Sequence, residues 1–222
     1  MNRRHFFAKA AQVSAALGLG MPLAARAQYG ASPGLAPSPT GIVILELINF
    51  HCARCRAVND HASRLHAAAA DVGIDFRVAP VAWERQSLWP DRVFYATRDV
   101  FPAAEHLVRT ALFDGIQREG MQFENLEQTI AYLERRLVPT RGQEIYSNFS
   151  LVPIAERAIT EAVLMSEAKA GRLLDMSAAK EVPVFLWIKG GEVIHTITPA
   201  HANEPTDLVR LVLQTINQSP NA

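Results

Sequence analysis

Cysteine is scarce in this sequence: 222 residues contain two, Cys52 and Cys55, three positions apart. A disulfide closing so short a loop removes little entropy from the unfolded chain and would be a poor staple. A zinc site needs about four ligands, and beyond the two sulfurs only His51, His61 and His66 lie near in sequence. His61 and His66 point away from the helix start, which leaves His51. Long apolar runs are missing too. After the N-terminal segment none approaches the roughly 18 residues of a membrane span, so no membrane anchor is expected in the mature product. Basic charge is not in surplus: 22 Lys and Arg face 22 Asp and Glu. Four of the basic residues (Arg3, Arg4, Lys9, Arg26) and no acid fall in residues 1–27, which leaves 18 basic against 22 acidic side chains, a balance of −4, in the rest. A mildly acidic chain has no compositional case for nucleic-acid binding. No internal repeat is found.

With 49% hydrophobic residues the chain can bury a sizeable core as one domain, with or without an insertion. Residues 1–27 read as a secretory signal. A basic start through Arg3 and Arg4 precedes an Ala/Leu/Gly-rich run and an Ala25-Arg26-Ala27 cleavage site. Adjacent arginines followed by Phe6 and Phe7 resemble a twin-arginine address, and an ordinary n-region equally predicts export to the periplasm. Such an oxidising compartment permits disulfide chemistry. Residues 28–40 are rich in Gly, Pro, Ser and Ala and suit a flexible lead-in.

The fold is expected to begin at Gly41. Ile42 to Ile48 is apolar on both faces, as in a central strand covered by helices, and Glu46 interrupts it. A helix is predicted from Cys52 to about Val72, capped by Gly73, with a second strand over 74–81, so that 41–81 make a βαβ unit. From about 87 to 171 only helical patterns occur: one stripe through Ala104, Val108, Ala111, Leu112 and Ile116, another through Leu126, Ile130, Leu133 and Leu137, and a third from Pro153 to Ala170 with Gly171 beyond it. That length is too great for a crossover loop and reads as an inserted helical subdomain. Strands return over 182–188 and 192–197, joined through Gly190-Gly191 as a hairpin, and a last amphipathic helix runs from Pro205 to about Ile216 before a tail over 217–222. The class is α/β.

The two cysteines stand where the first strand gives way to the first helix. Free N–H groups and the positive end of the helix dipole there stabilise a thiolate at Cys52. Val58, Ala62, Leu65 and Ala69 recur at three and four, so Cys55 heads the buried stripe and Cys52 lies at its open end. Cys52 is therefore the candidate attacking sulfur and Cys55 the resolving one. Arg54, between them, either favours the Cys52 thiolate through its charge or simply covers a helix end. Histidines 106, 195 and 201 read as surface residues, and Trp83, Trp89 and Trp187 as core or groove lining.

Over about 41–216 this arrangement resembles the DsbA-like exported thiol oxidases of the thioredoxin-fold superfamily: a βαβ half, an inserted helical subdomain, then a ββα half. Local matches are Leu45-Glu46 and Phe50 before Cys52, Leu112-Phe113-Asp114-Gly115-Ile116 through Glu119-Gly120, Tyr146-Ser147-Asn148-Phe149-Ser150, and Val182-Pro183. The chain departs from the family in carrying Ala53-Arg54 between the cysteines in place of the usual Pro-His, and Val184 after the strand proline in place of Thr. It also lacks a clear N-terminal strand before Gly41.

The resemblance implies that Glu46 is a partly buried carboxylate relaying protons to or from Cys55, the alternative being an edge-facing glutamate in solvent. It also implies a cis Val182-Pro183 bond, against a trans proline opening a strand, with the backbone of Val182 free to hold an extended substrate. His51, Val182 and Pro183 are then the substrate side of the site. The function implied is an exported thiol:disulfide oxidoreductase that donates its Cys52–Cys55 disulfide to reduced exported proteins and is restored by a membrane-bound reoxidase. It needs neither organic cofactor nor metal, because the two sulfurs carry the electrons. A reductase or isomerase using the same parts, and a soft-metal (copper) carrier using both sulfurs and His51, stand as alternatives.

Overall fold

The computed structural model describes residues 38–137, 149–202 and 204–219. The signal over 1–27, residues 28–37 of the lead-in, Tyr146-Ser147-Asn148 and the end of the tail lie outside the described residues.

Strand β1 (Ile42–Ile48) is the axis of the sheet because nearly every side chain on both its faces is apolar, and all but Val43 are buried. It pairs in parallel with β2 (Asp75–Pro80) and antiparallel with β3 (Val184–Lys189), which pairs with β4 (Glu192–Ile197), in the order β2-β1-β3-β4. Gly190 and Gly191, at φ 61° and 89°, supply the positive dihedrals that a two-residue hairpin between β3 and β4 demands. The edge strand β4 is exposed from Glu192 to His195 and carries a register shift opposite Trp187 and Ile188.

The helix expected from Cys52 to about Val72 is two helices, α1 (Ala53–Asn59) and α2 (Ala62–Asp71). Asn59 and Asp60, two poor helix formers in succession, fall at the break, and the Asn59 side chain donates to Thr110 Oγ1 at 3.2 Å. The chain still turns in a helical sense there, so Val58, Ala62, Leu65 and Ala69 all stay buried on one face. Gly73 follows at φ +72°. Its carbonyl accepts from Ser38 Oγ at 2.6 Å and Thr40 Oγ1 at 3.1 Å, so the last residues before the fold are tied to it.

Between β2 and β3 come α3 (Trp89–Val100), α4 (Glu105–Gln117), α5 (Leu126–Leu137), α6 (Leu151–Ala158) and α7 (Glu161–Met176). The stripe expected from Pro153 to Ala170 is split at Thr160, whose hydroxyl bonds back to the Arg157 carbonyl at 2.8 Å and competes with the helical ladder. Gly171 is no terminator: α7 runs through it to Met176. Gly115 in α4 admits two rings, since a Cβ built there would lie 2.7 Å from Phe123 Cζ and 3.0 Å from Tyr132 Cζ. Helix α8 (Pro205–Gln218) closes the chain against α1 and α2. Among the described residues no helix is long and apolar enough to cross a membrane.

Candidate active site

The site assembles where β1 ends. Cys52 is the N-cap of α1 in extended conformation (φ −85°, ψ 113°), and its Sγ accepts from the Cys55 backbone N–H at 3.2 Å. The side-chain cap normally supplied by Ser or Asp is here a sulfur, which fits a thiolate better than a thiol because it accepts at a helix start. Both cysteines are present as thiols. Cys52 is partly exposed, whereas Cys55 is fully buried in the core.

Their acidities are driven apart. The Cys52 thiol falls from an ordinary value of 9.0 to about 6, chiefly because the Cys55 side chain donates to it. Burial opposes the fall; the backbone N–H groups of Cys55 and Arg54 add to it, and the Arg54 charge contributes least. Burial pushes the Cys55 thiol well up, assisted by its hydrogen bond to Cys52, the Cys52 charge and Glu46. At neutral pH the pair is a nucleophilic thiolate beside a protonated partner.

Arg54 does favour the Cys52 thiolate through its charge, but only slightly. Its Nη1 donates to Glu181 Oε2 at 2.8 Å, so its charge is engaged by an acid from the segment before β3 and acts only weakly on Cys52. Glu46 is no edge-facing residue: it is 3% exposed in the middle of β1. Its carboxyl is raised from 4.5 to about 7 by burial, offset by Arg109 and reinforced by Glu105. The cation comes from α4, where the buried Arg109 lies with Nη2 3.3 Å from His106 Nδ1 and Nη1 3.9 Å from Glu105 Oε1.

The Val182–Pro183 peptide bond is cis, and both residues are buried ahead of β3, which begins at Val184, two residues later than expected. In its protonated form Cys52 Sγ donates to the Val182 carbonyl at 3.3 Å, across 130 positions of sequence. His51 is exposed, with its backbone N–H donating to Asn49 Oδ1 at 2.8 Å and its ring pKa lowered by partial burial. Cys52, Arg54, Trp83, Lys180, Glu181 and Val182 line an open groove of about 330 Å³.

Two residues that frame this turn, Gln117 and Asn49, and Arg109 beside Glu46 escape sequence reasoning. Gln117, at the end of α4, donates through one amide to the carbonyls of Phe50 (2.7 Å) and Cys52 (3.1 Å). Asn49 is buried and spans the turn, donating to Val81 O at 2.7 Å and Gln86 Oε1 at 2.6 Å while its own carbonyl accepts from Cys52 N at 3.0 Å. Nothing in the sequence marks Gln117. Asn49 had a signal, an amide residue between an apolar strand and a helix start. Arg109 had a weaker one, lying between Val108 and Leu112 on the border of an apolar stripe.

The fold with this site at the end of its central strand is thioredoxin-like, of the DsbA kind with a helical insertion. DsbA of Pseudomonas aeruginosa is similar over 85% of this chain and 88% of its own, at 17% identity and a TM-score of 0.61. The oxidoreductase NmDsbA1 of N. meningitidis is similar over 86% and 92%, at 14% identity and 0.59. The cytosolic disulfide reductase DsbM of Pseudomonas aeruginosa is similar over 80% and 100%, at 14% identity and 0.54. No protein-family model and no curated protein matches the sequence.

Proposed function

We propose that this chain is an exported thiol:disulfide oxidoreductase that donates a Cys52–Cys55 disulfide to reduced exported proteins. The observation that carries the reading is the opposite displacement of two thiols three residues apart, one acidic and open to a groove, the other buried and held protonated. The activities of the proteins with similar folds, an oxidoreductase and a disulfide reductase, support thiol exchange as the chemistry. The signal-like residues 1–27 support export.

In the oxidised protein a substrate thiolate attacks Cys52 Sγ. The electron pair of the Cys52–Cys55 bond passes to the Cys55 sulfur, which takes up a proton; Glu46, a buried acid near neutrality, is placed to supply it. A second substrate thiolate then attacks the substrate sulfur of the mixed disulfide, and Cys52 leaves as a thiolate. Its low pKa makes it a good leaving group. The substrate has lost two electrons and the enzyme has gained them; a membrane-bound reoxidase removes them again. Val182, whose carbonyl faces Cys52, is the backbone against which an extended substrate lies, with Pro183 and His51 beside it.

A reductase would use the same parts in reverse, and the DsbM-like fold supports that second reading. The deciding measurement is the reduction potential of the cysteine pair against glutathione, together with oxidation of a reduced unfolded protein. A potential near that of thioredoxin, about −270 mV, would favour the reductase, and one near that of DsbA, about −120 mV, the oxidase. The copper-carrier reading, with both sulfurs and His51 as soft ligands, is separated from both by anaerobic Cu(I) titration.

A further inference from the structure

The groove at Cys52 does not end at the Arg54–Glu181 ion pair. Arg54, Lys180 and Glu181 also line a second, larger cleft of about 770 Å³, whose far wall is made by Thr196 and Thr198 of the β4 end and by His201. The two spaces differ in chemistry. The small groove holds the reacting sulfur and the exposed ring of Trp83, whereas the large cleft sets hydroxyl-bearing and charged side chains among the small apolar residues Ala178, Ala179, Pro199 and Ala200. Its cations are Arg54 and Lys180, and its single carboxylate is that of Glu181. That carboxylate is 66% exposed, and it lies 2.8 Å from Arg54 Nη1. A carboxylate from inside the chain thus already occupies the cation nearest the sulfur, and it is exposed enough to be exchanged for another.

We propose that this cleft is a specificity subsite for the polypeptide whose thiol attacks Cys52, taking a carboxylate side chain close to the substrate cysteine, with Arg54 and Lys180 as its cations and Glu181 as the resident group that the incoming carboxylate displaces. The subsite rests on the thiol-exchange reading and deepens it. Swapping one carboxylate for another on Arg54 is close to neutral, so the selectivity comes from Lys180, which the displaced Glu181 does not cancel in the free protein. Substrate cysteines flanked by acids are therefore preferred over those flanked by bases, and the preference is electrostatic and screened by salt.

The test is the rate of mixed-disulfide formation between the oxidised protein and three peptides, identical except for Asp, Asn or Lys two residues from a single cysteine. Each rate is divided by that peptide's rate with hydroxyethyl disulfide, which removes the effect of the flanking charge on the thiol itself. The expected order is Asp above Asn above Lys. The Asp peptide should lead the Asn peptide by about threefold at low salt, the size of an exposed ion pair, and the lead should vanish near 1 M salt. Lys180→Gln should reduce the Asp-to-Asn ratio towards one, and Glu181→Gln should increase it. Dithiothreitol, which carries no charge, separates the two failures. Brisk exchange with dithiothreitol together with charge-independent peptide rates overturns the subsite alone. No exchange with dithiothreitol or any peptide overturns the thiol-exchange reading and the subsite with it.

Discussion

The backbone N–H of Cys55 donates to Cys52 Sγ at 3.2 Å, while the Cys55 sulfur is sealed in the core. One residue thus stabilises the thiolate of its neighbour through its backbone and its S–H while its own thiol is kept from ionising. From that asymmetry follow different fates for two substitutions. Cys52→Ser should abolish oxidation of a reduced model protein. Offered a disulfide-bonded model protein instead, Cys55→Ser should accumulate mixed disulfides on Cys52, because the Cys52 thiolate still attacks the substrate disulfide while no second thiol in the protein is left to expel it. Non-reducing gels with mass spectrometry check this, and equal trapping by both variants would contradict the roles.

Absorbance of the thiolate near 240 nm, followed against pH, should give a Cys52 pKa of about 6. A folded value below the ordinary 9.0 stabilises the reduced protein; that stability is fully present above about pH 9 and is lost as pH falls through about 6. Because the Cys55 side chain is the largest cause and the Arg54 charge the smallest, Cys55→Ala should raise the pKa more than Arg54→Ala does. The reverse order would make the Arg54 charge, and not the Cys55 side chain, the main cause of the low pKa.

Glu46→Gln has an effect on stability with a definite sign. The folded carboxyl titrates at about 7 against 4.5 when unfolded, so its contribution is fully present below pH 4.5 and is lost as pH rises through 7. Denaturant titrations of the reduced protein should show the variant matching wild type near pH 4 and exceeding it by up to roughly 3 kcal/mol at pH 8, since each tenfold change in acidity is worth about 1.4 kcal/mol. Divided by the thiolate fraction of the substrate, the exchange rate of wild type should fall as pH rises through about 7, where the proton donor for Cys55 is lost, and the variant should lack that step. A stability difference that does not change with pH would remove Glu46 from the relay.

Gln117→Ala leaves the Phe50 and Cys52 carbonyls without their shared donor. Loss of such bonds in a partly buried turn costs about 1–2 kcal/mol, readable as a lower urea midpoint. A midpoint unchanged from wild type would mean that water replaces the amide fully.

Gly115→Ala should destabilise the helical insertion by about 1–3 kcal/mol, since the added methyl meets the Phe123 and Tyr132 rings at 2.7 and 3.0 Å. Thermal unfolding measures it, and an unshifted transition would show that the Phe123 ring swings aside freely.

What the sequence by itself determined is local and periodic. The apolar run of β1, the helical stripe behind Cys55, the Gly190-Gly191 turn and the all-helical stretch between the sheet halves are set by side-chain alternation and by glycine's access to positive φ, and both act within a few residues. The difference in burial between Cys52 and Cys55 was legible for the same reason, since spacing alone put one sulfur on the buried face. Tertiary structure decided the rest. Whether Glu46 met solvent or core depended on the α4 helix arriving with Arg109, and Arg54's charge was engaged by Glu181, 127 positions away. Val182 reached the sulfur only once β3 had paired beside β1, and Gln117 reached the turn only once α4 had docked. Desolvation and hydrogen-bond geometry are properties of what packs against a group, and a residue's neighbours in sequence do not specify its neighbours in space.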